Sequence, residues 1–471
     1  MADKHAIVIG GSMAGMCAAR VLTESFDKVT IIDRDSYPDG AHERAGVPQS
    51  RHVHALLKRG RIELENLFPG FDQTMLSRGA LEINFGFDFA ALRADGWSPR
   101  RHDKITTLFA SRVLIEAVVR ELLRKTGKVK FIERTEATGF EVERGPHLRA
   151  TGVKIRPRDG GAASSIRADL IADVSGRASR ITAWLAEIGL PAPEETVVDS
   201  HSGYASRWYK AAPQRRPQEW WWKAIWIDPI DDDVATAGVL FPVEGERFIV
   251  TMAGIGGKYP PTDEEGFTKK LPQLRSPIIA EEVALAEPIS AVYSYRQMAN
   301  RWRHYEKWQS ELGGFVALGD SVCAFNPVYG QGMTSGAISS LILRDCLKKY
   351  GPSDPQFPKP FFTAQARFQS EPWGLATGAD FRFPGTEGKR PIASRIFDPI
   401  FGKLFDLQKD DDVIRERVGD VINMLLPPAA LAEPAMLARI ATGAVRRMIR
   451  GKPAGQPVTP MPPRIGETVA A

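Results

Sequence analysis

The chain has 471 residues, of which 43% are hydrophobic and 25% are charged, a composition typical of a soluble globular protein. Its length predicts more than one domain. No stretch approaches the roughly 20 apolar residues that cross a bilayer, and the first apolar run meets glycines too early for a signal peptide. The net charge is +5, and the basic segment 434–453 alone carries +5, so the rest of the chain is near neutral. This argues against a broad nucleic-acid surface elsewhere.

The cysteine and histidine patterns give no sign of a metal site. Cys17, Cys323 and Cys346 are far apart and form no CxxC pair, and the eight histidines form no HExxH motif. This usage fits a reduced, cytoplasmic setting. His52 and His54, two positions apart, are interpreted as structural or cofactor-adjacent residues rather than metal ligands.

The first 33 residues follow the order strand, glycine turn, helix, strand, acid. An apolar run over 6–9 is typical of a buried parallel strand, and a second run over 29–32 ends at an aspartate. The glycines allow a tight turn and close packing of helix on strand, and a serine replaces the middle glycine. Free N–H groups at the helix start would bind a pyrophosphate, and the aspartate would bind a ribose diol. The dinucleotide contacts predicted here are Gly10, Ser12, Met13, Ala14, Gly15, Asp33 and Arg34.

Two arginines in the next segment, Arg44 and Arg51, carry cations that could meet the same pyrophosphate. The alternative for each is a solvated surface charge. Further along, Arg112 opens a strongly helical segment, and the apolar run 170–172 leads into Asp173.

Residues 195–300 change to alternating apolar strands and turns, including a predicted hairpin over 239–252. Just before it, Trp220, Trp222 and Trp226 would share one face of a strand, because side chains alternate. That face is a candidate wall of a substrate pocket. The alternative is packing of the sheet against helices.

A second glycine-rich segment follows the apolar run 315–318. A carboxylate at the end of such a strand can bind the ribityl hydroxyls of a flavin, and the helix start beyond it can present N–H groups to the pyrimidine side of the ring. The alternative is a strand-turn-helix with an ordinary cap. The flavin contacts predicted here are Asp320, Pro327, Gly330, Gln331, Gly332 and Met333.

The spacing Gly-Asp-x6-Pro-x2-Gly-Gln-Gly resembles the GD motif of class A FAD-dependent monooxygenases related to p-hydroxybenzoate hydroxylase. In that family an arginine or glutamine at the position of Arg112 contacts the flavin. Residues 173–180 are similar to the family's middle motif, but Ser175 stands where the family has aspartate, so no cofactor role is carried over to it. Segments 46–54 and 326–333 look most like the branch of polyether-forming epoxidases, with squalene epoxidases more distant.

The resemblance implies an α/β fold with three parts. These are a Rossmann-type FAD-binding domain (1–75, 103–190 and 305–350), an interleaved β-sheet substrate domain (76–102 and 191–304) and a C-terminal helical region (351–471). Because the chain shows one glycine fingerprint and not two, NADPH or NADH is expected as a transient co-substrate.

By the same resemblance, the expected activity is epoxidation or hydroxylation of an apolar polyene, terpenoid or polyketide-like substrate with O₂, through a flavin C4a-hydroperoxide. The chemistry is borne by the flavin, and no catalytic acid–base pair is identified. The alternatives are a reductase of prenyl double bonds, a flavin halogenase and a non-catalytic FAD-binding protein. Flavin halogenases have a Trp-x-Trp-x-Ile-Pro motif, which residues 222–229 match only in part because the spacing differs.

The basic C-terminal segment after Pro434 is predicted to be an amphipathic helix. Leu437, Ile440, Ala444 and Met448 recur along one side of it. We expect this side to dock on the enzyme itself, and the alternatives are a twin subunit in a homodimer or an anionic membrane surface.

Overall fold

A computed structural model describes residues 3–94, 96–212, 216–229, 236–352, 354, 356–390, 404, 407–450 and 461–462. The helices are α1 (Met13–Leu22), α2 (Lys58–Leu67), α3 (Phe71–Ser77), α4 (Arg112–Arg124), α5 (Ile181–Glu187), α6 (Glu264–Lys270), α7 (Ile278–Ala284), α8 (Gly332–Tyr350), α9 (Pro358–Asp380), α10 (Asp412–Ile422) and α11 (Pro434–Arg450). The strands are β1 (His5–Ile9), β2 (Lys28–Ile32), β3 (Leu81–Asn84), β4 (Phe89–Arg93), β5 (Gly96–Trp97), β6 (Thr106–Phe109), β7 (Val129–Ile132), β8 (Thr135–Glu143), β9 (Arg149–Pro157), β10 (Ser164–Arg167), β11 (Leu170–Asp173), β12 (Glu195–Val198), β13 (Gly203–Lys210), β14 (Ala224–Ile227), β15 (Thr236–Val243), β16 (Arg247–Gly254), β17 (Glu287–Pro288), β18 (Tyr293–Tyr295), β19 (Asn300–Arg303), β20 (Phe315–Ala317) and β21 (Cys323–Ala324).

A five-stranded parallel sheet in the order β20-β11-β1-β2-β7 forms the first core. Its strands are almost wholly apolar because both faces are buried, and α1, α4 and α8 contribute to the same hydrophobic cluster. The carboxyl ends of parallel strands meet at one edge of a sheet. Gly10, Asp33, Asp173 and Gly319 therefore converge there, and this edge positions the site.

An eight-stranded sheet forms the second core. Its order is β17-β13-β16-β15-β14-β4-β5, with β18 paired to β13, and the predicted hairpin is confirmed as the antiparallel pair β15 and β16. Helices α6 and α7 pack on one face through Phe267, Ile278 and Ile279. The sequence pattern predicted strands and turns over 195–300 and missed both helices, each of which has only seven residues.

Among the described residues there are also three smaller sheets, in the orders β10-β9-β8, β12-β19-β21 and β3-β6. The C-terminal helices have their own apolar cluster, in which Leu407, Ile414 and Val418 pack against Met436 and Ile440. The domain limits expected from the sequence stay a prediction.

Ion pairs hold this C-terminal region to the earlier part of the chain. Arg415 lies 2.9 Å from Asp103, and Lys104 lies 2.9 Å from Asp420. In the part of the chain that the structure describes, no helix is long and apolar enough to span a bilayer.

Candidate functional site

A cavity of about 1970 Å³ opens at the carboxyl edge of the parallel sheet. It extends along one face of the eight-stranded sheet and under the C-terminal helices. Since a site for one small molecule or cofactor usually encloses roughly 300–1,000 Å³, this cavity has room for a dinucleotide together with a second ligand.

The turn between β1 and α1 forms one end of the cavity. Gly10 has a φ of +96°, and a Cβ atom there would lie 2.6 Å from the Val174 carbonyl oxygen. A Cβ atom on Gly15 would lie 1.9 Å from the Gly10 carbonyl oxygen, so helix and strand pack too closely for any side chain. Ser12 does not cap α1 with its side chain, which leaves the N–H groups of the first turn directed at the cavity.

Asp33 lies beside this turn and is 7% exposed. Its Oδ2 accepts hydrogen bonds from Gly11 N (2.9 Å) and from Tyr37 Oη (2.9 Å), and its Oδ1 accepts one from Asp35 N (3.0 Å). These bonds fix the carboxylate at the strand end, where it faces the space available for a ribose.

Two arginines and one glutamate surround the helix start. Arg112 Nη2 donates to Ser12 Oγ (3.0 Å), and Arg112 Nη1 lies 2.9 Å from Glu116 Oε2. Arg44 donates to Glu116 Oε1 (2.6 Å) and lies 3.3 Å from Asp33 Oδ2. Burial acts to raise the pKa of Glu116, but Arg112 and Arg44 outweigh it, so the pKa is lowered and the group is a carboxylate. The paired cations are suited to a pyrophosphate.

The other predicted cofactor segment lies across the same edge. Gly319 places Asp320 at the cavity, and a Cβ atom on Gly332, at the start of α8, would lie 3.8 Å from Asp320 Oδ1. No side chain caps α8, and the buried Oε1 of Gln331 has no hydrogen-bond partner among the described residues. A buried polar atom without a partner at a cavity indicates a ligand. Arg177 Nε lies 3.8 Å from Asp320 Oδ2 and adds a cation to this end.

Comparison with known proteins identifies the dinucleotide. Residues 3–344 match the FAD binding domain family. The chain belongs to this family of FAD-binding proteins. It is 33% identical to Protein Rv3254 of Mycobacterium tuberculosis over 354 residues, which are 73% of each chain.

Solved structures share the fold at low identity. The flavin-dependent brominase Bmp2 has a TM-score of 0.67 and 13% identity, with 95% of this chain and 100% of that chain covered. The p-nitrophenol 4-monooxygenase PnpA from Pseudomonas putida has a TM-score of 0.61 and 16% identity, with 89% and 98% covered. These likenesses show the same overall architecture.

FAD fits the residues of this site. The glycine cradle, the uncapped starts of α1 and α8, the paired arginines and the unpartnered Gln331 supply the donors that a flavin dinucleotide needs. The predicted contacts that line the cavity are Gly10, Ser12, Met13, Ala14, Asp33, Arg34, Arg44, Arg112, Asp320, Pro327, Gly330, Gln331, Gly332 and Met333.

Two predicted contacts lie elsewhere. Gly15 is buried behind Gly10 and shapes the turn without lining the cavity. Arg51 does not line the cavity either, because its Nε is bonded to Glu43 (2.8 Å) and its guanidinium lies over the Tyr293 ring. The cofactor contact at Arg51 stays a prediction, and in this conformation its side chain is 43% exposed, which fits the alternative of a surface charge.

The tryptophan segment is divided between two environments. Trp226 lies in β14 and lines the cavity, whereas Trp220 and Trp222 stack on each other in the core beneath α7. Trp222 is fully buried, and its Nε1 donates to Glu282 (2.7 Å). The expectation of one shared face is wrong because β14 begins only at Ala224, so strand alternation does not extend back to the first two tryptophans.

His52 and His54 both line the cavity. Burial and the nearby Arg51 lower the pKa of His52 to about 4, and burial and Arg112 lower the pKa of His54 to about 3, so both are neutral. His54 Nδ1 lies 3.0 Å from the His52 carbonyl oxygen. Because a carbonyl only accepts, Nδ1 carries the proton and Nε2 of His54 is an acceptor.

Sequence reasoning missed a buried acid that supports the GD segment. Asp380, at the end of α9, accepts hydrogen bonds from Asn300 Nδ2 (2.6 Å), Asn326 Nδ2 (3.1 Å) and Tyr329 Oη (2.7 Å). Burial raises the pKa of Asp380. These bonds join the C-terminal region to the turn before α8, and no motif signals them because the partners are 51–80 positions apart.

The C-terminal wall of the cavity was also missed. The region 351–471 was expected to be helical, and its helix after Pro434 to dock on the enzyme, but no part of it was expected to line the site. Residues from α9, α10, α11 and their connections that do so include Glu371, Leu375, Arg382, Val418, Ala429 and Leu437.

Proposed function

We propose that the protein is an FAD-dependent monooxygenase that uses NADPH or NADH and O₂ to epoxidise or hydroxylate an apolar organic substrate of the polyene, terpenoid or polyketide-like class. The observation that carries this proposal is the continuity of one cavity from the FAD cradle to an apolar sheet face formed by Phe89, Trp226, Val239 and Phe241. Reduced FAD, when bound, supplies the oxygen-transfer chemistry.

The protein's own residues hold the cofactor and enclose the reaction. Asp320 and the start of α8 orient the flavin end, and Arg44 and Arg112 hold the pyrophosphate end. The apolar sheet face and the C-terminal wall exclude water, which favours oxygen transfer to the substrate over release of peroxide.

The neutral histidines favour epoxidation over hydroxylation of a phenol. Attack on a phenol is helped by a base that accepts the phenolic proton, and a base works best when its pKa is near the working pH. His52 and His54, with pKa values of about 4 and 3, are weak bases. An alkene needs no such base.

A halogenase is the second candidate, because the fold is shared with the brominase Bmp2. Flavin halogenases use a lysine near their tryptophan motif, and the lysine within residues 222–229 of this chain is Lys223. Its Nζ lies 3.0 Å from Asp88 Oδ1, and it does not line the cavity. Among the cavity-lining residues that the structure describes, the only lysine is Lys409. These placements support the monooxygenase over the halogenase.

The test begins with the purified protein, which we expect to be yellow. With NADPH or NADH and a panel of polyenes, terpenoids and phenols, we expect oxygen uptake and incorporation of ¹⁸O from ¹⁸O₂ into a product. A flavin that is reduced but never consumes oxygen would instead identify a reductase of prenyl double bonds. A product that forms only with added chloride or bromide would identify a halogenase. A colourless protein that does not take up FAD would contradict the whole assignment.

A further inference from the structure

The cavity-facing side of the eight-stranded sheet changes polarity along a single row. The row crosses five adjacent strands, and each of its residues is paired with the next. In order, they are Ser206 in β13, Thr251 in β16, Val239 in β15, Trp226 in β14 and Ala91 in β4. Paired residues on adjacent strands point to the same face. The row therefore has two hydroxyls at one end and an apolar surface at the other, over roughly 14 Å from the Ser206 strand to the Trp226 strand at about 4.8 Å per strand.

His52 lies over the polar end of this row. It is 3% exposed, and its Nδ1 is 2.7 Å from Ser206 Oγ. The rings of Tyr204 and Tyr295 lie nearby, with centroids 5.9 Å and 5.8 Å from that of His52. The imidazole lines the cavity, and no group in the described part of the chain hydrogen-bonds its Nε2. Nε2 is therefore the nitrogen through which this imidazole can hydrogen-bond a molecule in the cavity.

The direction of the hydrogen bonds that link Thr251, Ser206 and His52 decides whether Nε2 of His52 is a donor or an acceptor. Ser206 Oγ lies 2.5 Å from Thr251 Oγ1, which also accepts from Val53 N at 3.4 Å. If Thr251 donates to Ser206 and Ser206 donates to His52 Nδ1, every hydroxyl hydrogen is bonded. Either direction leaves one hydrogen without an acceptor among the described residues: the Nε2 hydrogen of His52 in the first, and the hydroxyl hydrogen of Thr251 in the reverse. The first direction is favoured because it leaves the spare hydrogen on His52 Nε2, where a molecule in the cavity can accept it, and not on the hydroxyl of Thr251, a residue that is 1% exposed and already bonded to Ser206 and Val53. Nε2 then carries a hydrogen.

We propose that the Nε2–H group of His52 donates a hydrogen bond to a neutral oxygen atom, such as that of a ketone, hydroxyl or ether, on an otherwise apolar substrate. The rest of the molecule would lie along Val239 and Trp226. This inference deepens the proposed function, because it takes the occupant of this end of the cavity to be the substrate. A neutral donor suits a neutral oxygen, whereas a carboxylate would call for a cation. The low pKa of His52 agrees with an uncharged imidazole.

The experiment compares matched ligands that differ only in oxygen. The FAD-loaded protein is titrated with each ligand without NAD(P)H, and the change in flavin absorbance measures binding. Each ligand pair is a ketone and the hydrocarbon that has CH₂ in place of C=O, on a linear, cyclic or aromatic skeleton. For the skeleton that binds best we expect the ketone to bind about fivefold tighter, as one net hydrogen bond gives. His52→Phe should bring the ratio of ketone affinity to hydrocarbon affinity to within about twofold of one.

Two further variants separate hydrogen bonding from packing. His52→Gln keeps an N–H donor and should keep part of the ketone preference, while Ser206→Ala keeps the imidazole without its orienting partner and should lower the preference to about twofold. Val239→Ala is the matched control, because it should weaken the ketone and the hydrocarbon equally.

Three results would overturn the inference: no ketone preference in the wild type, a preference that survives His52→Phe, or tighter binding of the carboxylate on the same skeleton. Failure of the proposed function is read separately, from absence of ¹⁸O incorporation with NAD(P)H and O₂. A protein that prefers ketones through His52 but incorporates no oxygen would keep the binding site and lose the monooxygenase assignment.

Discussion

Glu116 accepts a hydrogen bond from the Nε atom of Arg44 at 2.6 Å, although the two residues are 72 positions apart. The same carboxylate lies 2.9 Å from Arg112 Nη1, and all three side chains are about 95% buried. The two guanidinium groups proposed to hold the pyrophosphate of FAD therefore share this one carboxylate, and Arg44 also lies 3.0 Å from Asp35 Oδ2. Cofactor binding adds further negative charge to this cluster, so its charge balance differs between the FAD-free and the FAD-loaded protein.

The variant Glu116→Gln should destabilise the FAD-free protein by about 3 kcal/mol, because removal of one partner leaves buried charges uncompensated. The FAD-loaded protein should lose much less, since the pyrophosphate supplies the missing negative charge. Urea unfolding of both forms measures this difference. Glu121→Gln on the same helix is the control. Glu121 is about one-third exposed and pairs with Lys125, so its loss should cost less than about 1 kcal/mol in either form. Equal losses for Glu116→Gln in both forms would refute the idea.

The acid side of the stability profile should depend on His52. The imidazole binds a proton near pH 6.5 in the unfolded chain but only near pH 4 in the folded protein, so the unfolded state binds more protons between these values. Stability should therefore fall as the pH drops from about 6.5 to 4, and His52 should account for about 3 kcal/mol of the loss. In His52→Phe, the unfolding free energy should vary correspondingly less over this range. An unchanged pH slope would show that burial does not hold this imidazole neutral.

The sequence was informative where function depends on the ends of parallel strands. Gly10, Asp33 and Asp320 each follow an apolar run, and the strands before them meet at one edge, so chain order alone brings them together. It was misleading at Trp220 and Trp222, because alternation holds only inside a strand and the strand starts later.

Long-range pairings were beyond the reach of local patterns. The bond between His52 and Ser206 joins residues 154 positions apart, and that between Asn300 and Asp380 spans 80. Each depends on how separate elements pack, and neither polar residue stands out in its own segment. The C-terminal wall of the cavity went unnoticed for the same reason.

The close contact between α1 and β1 predicts that Gly15→Ala prevents FAD binding. The new Cβ atom would lie 1.9 Å from the Gly10 carbonyl oxygen, so the backbone that cradles the pyrophosphate must move. Flavin absorbance per mole of purified protein measures the effect. Gly145→Ala is the control and should keep full flavin content, because the nearest atom to its Cβ is 3.9 Å away. Flavin retained in Gly15→Ala would show that the turn tolerates the shift.

Asp320→Ala should weaken FAD binding by about 10- to 100-fold, which is the effect of losing a charge-assisted hydrogen bond to the cofactor. The apoprotein should fold as before, since the side chain is 42% exposed and its nearest cation, Arg177, is 3.8 Å away. Fluorescence titration of the apoprotein with FAD gives the dissociation constant, and circular dichroism checks the fold. An unchanged dissociation constant would remove Asp320 from the flavin contacts.

The divided tryptophan segment predicts opposite effects for two neighbouring substitutions. Trp226→Ala should weaken binding of an apolar ligand about tenfold with a smaller effect on stability, because Trp226 lines the cavity. Trp222→Ala should lower the free energy of unfolding by about 3–5 kcal/mol, because the side chain is fully buried beneath α7. Ligand titration and urea unfolding of both variants test this. A larger ligand effect for Trp222→Ala would contradict the placement.

The C-terminal helix α11 has apolar residues in two different environments along its length. Met436 and Ile440 are buried against Leu407 and hold the helix on the enzyme, whereas Met448 and Ile449 are each 81% exposed near its end. The expected single stripe that included Ile440 and Met448 is therefore split. Docking on the protein's own chain accounts for the first half of the helix, and the exposed end is left for another surface.

We predict that this exposed end binds anionic vesicles, because the apolar pair lies in a segment rich in arginine and free of acids. Replacing Met448 and Ile449 together by serine should reduce vesicle binding about tenfold or more, as the loss of two inserted apolar side chains implies, and should not change thermal stability. Truncation after Leu426 should abolish vesicle binding and also destabilise the protein, because Leu431, Met436 and Ile440 leave the cluster. Sedimentation with phosphatidylglycerol vesicles, and with phosphatidylcholine vesicles as the neutral control, measures binding. If the double variant sediments with vesicles like the wild type, this end of α11 is not a membrane contact. If the wild type forms a concentration-dependent oligomer that the double variant does not form, this end binds a twin subunit instead.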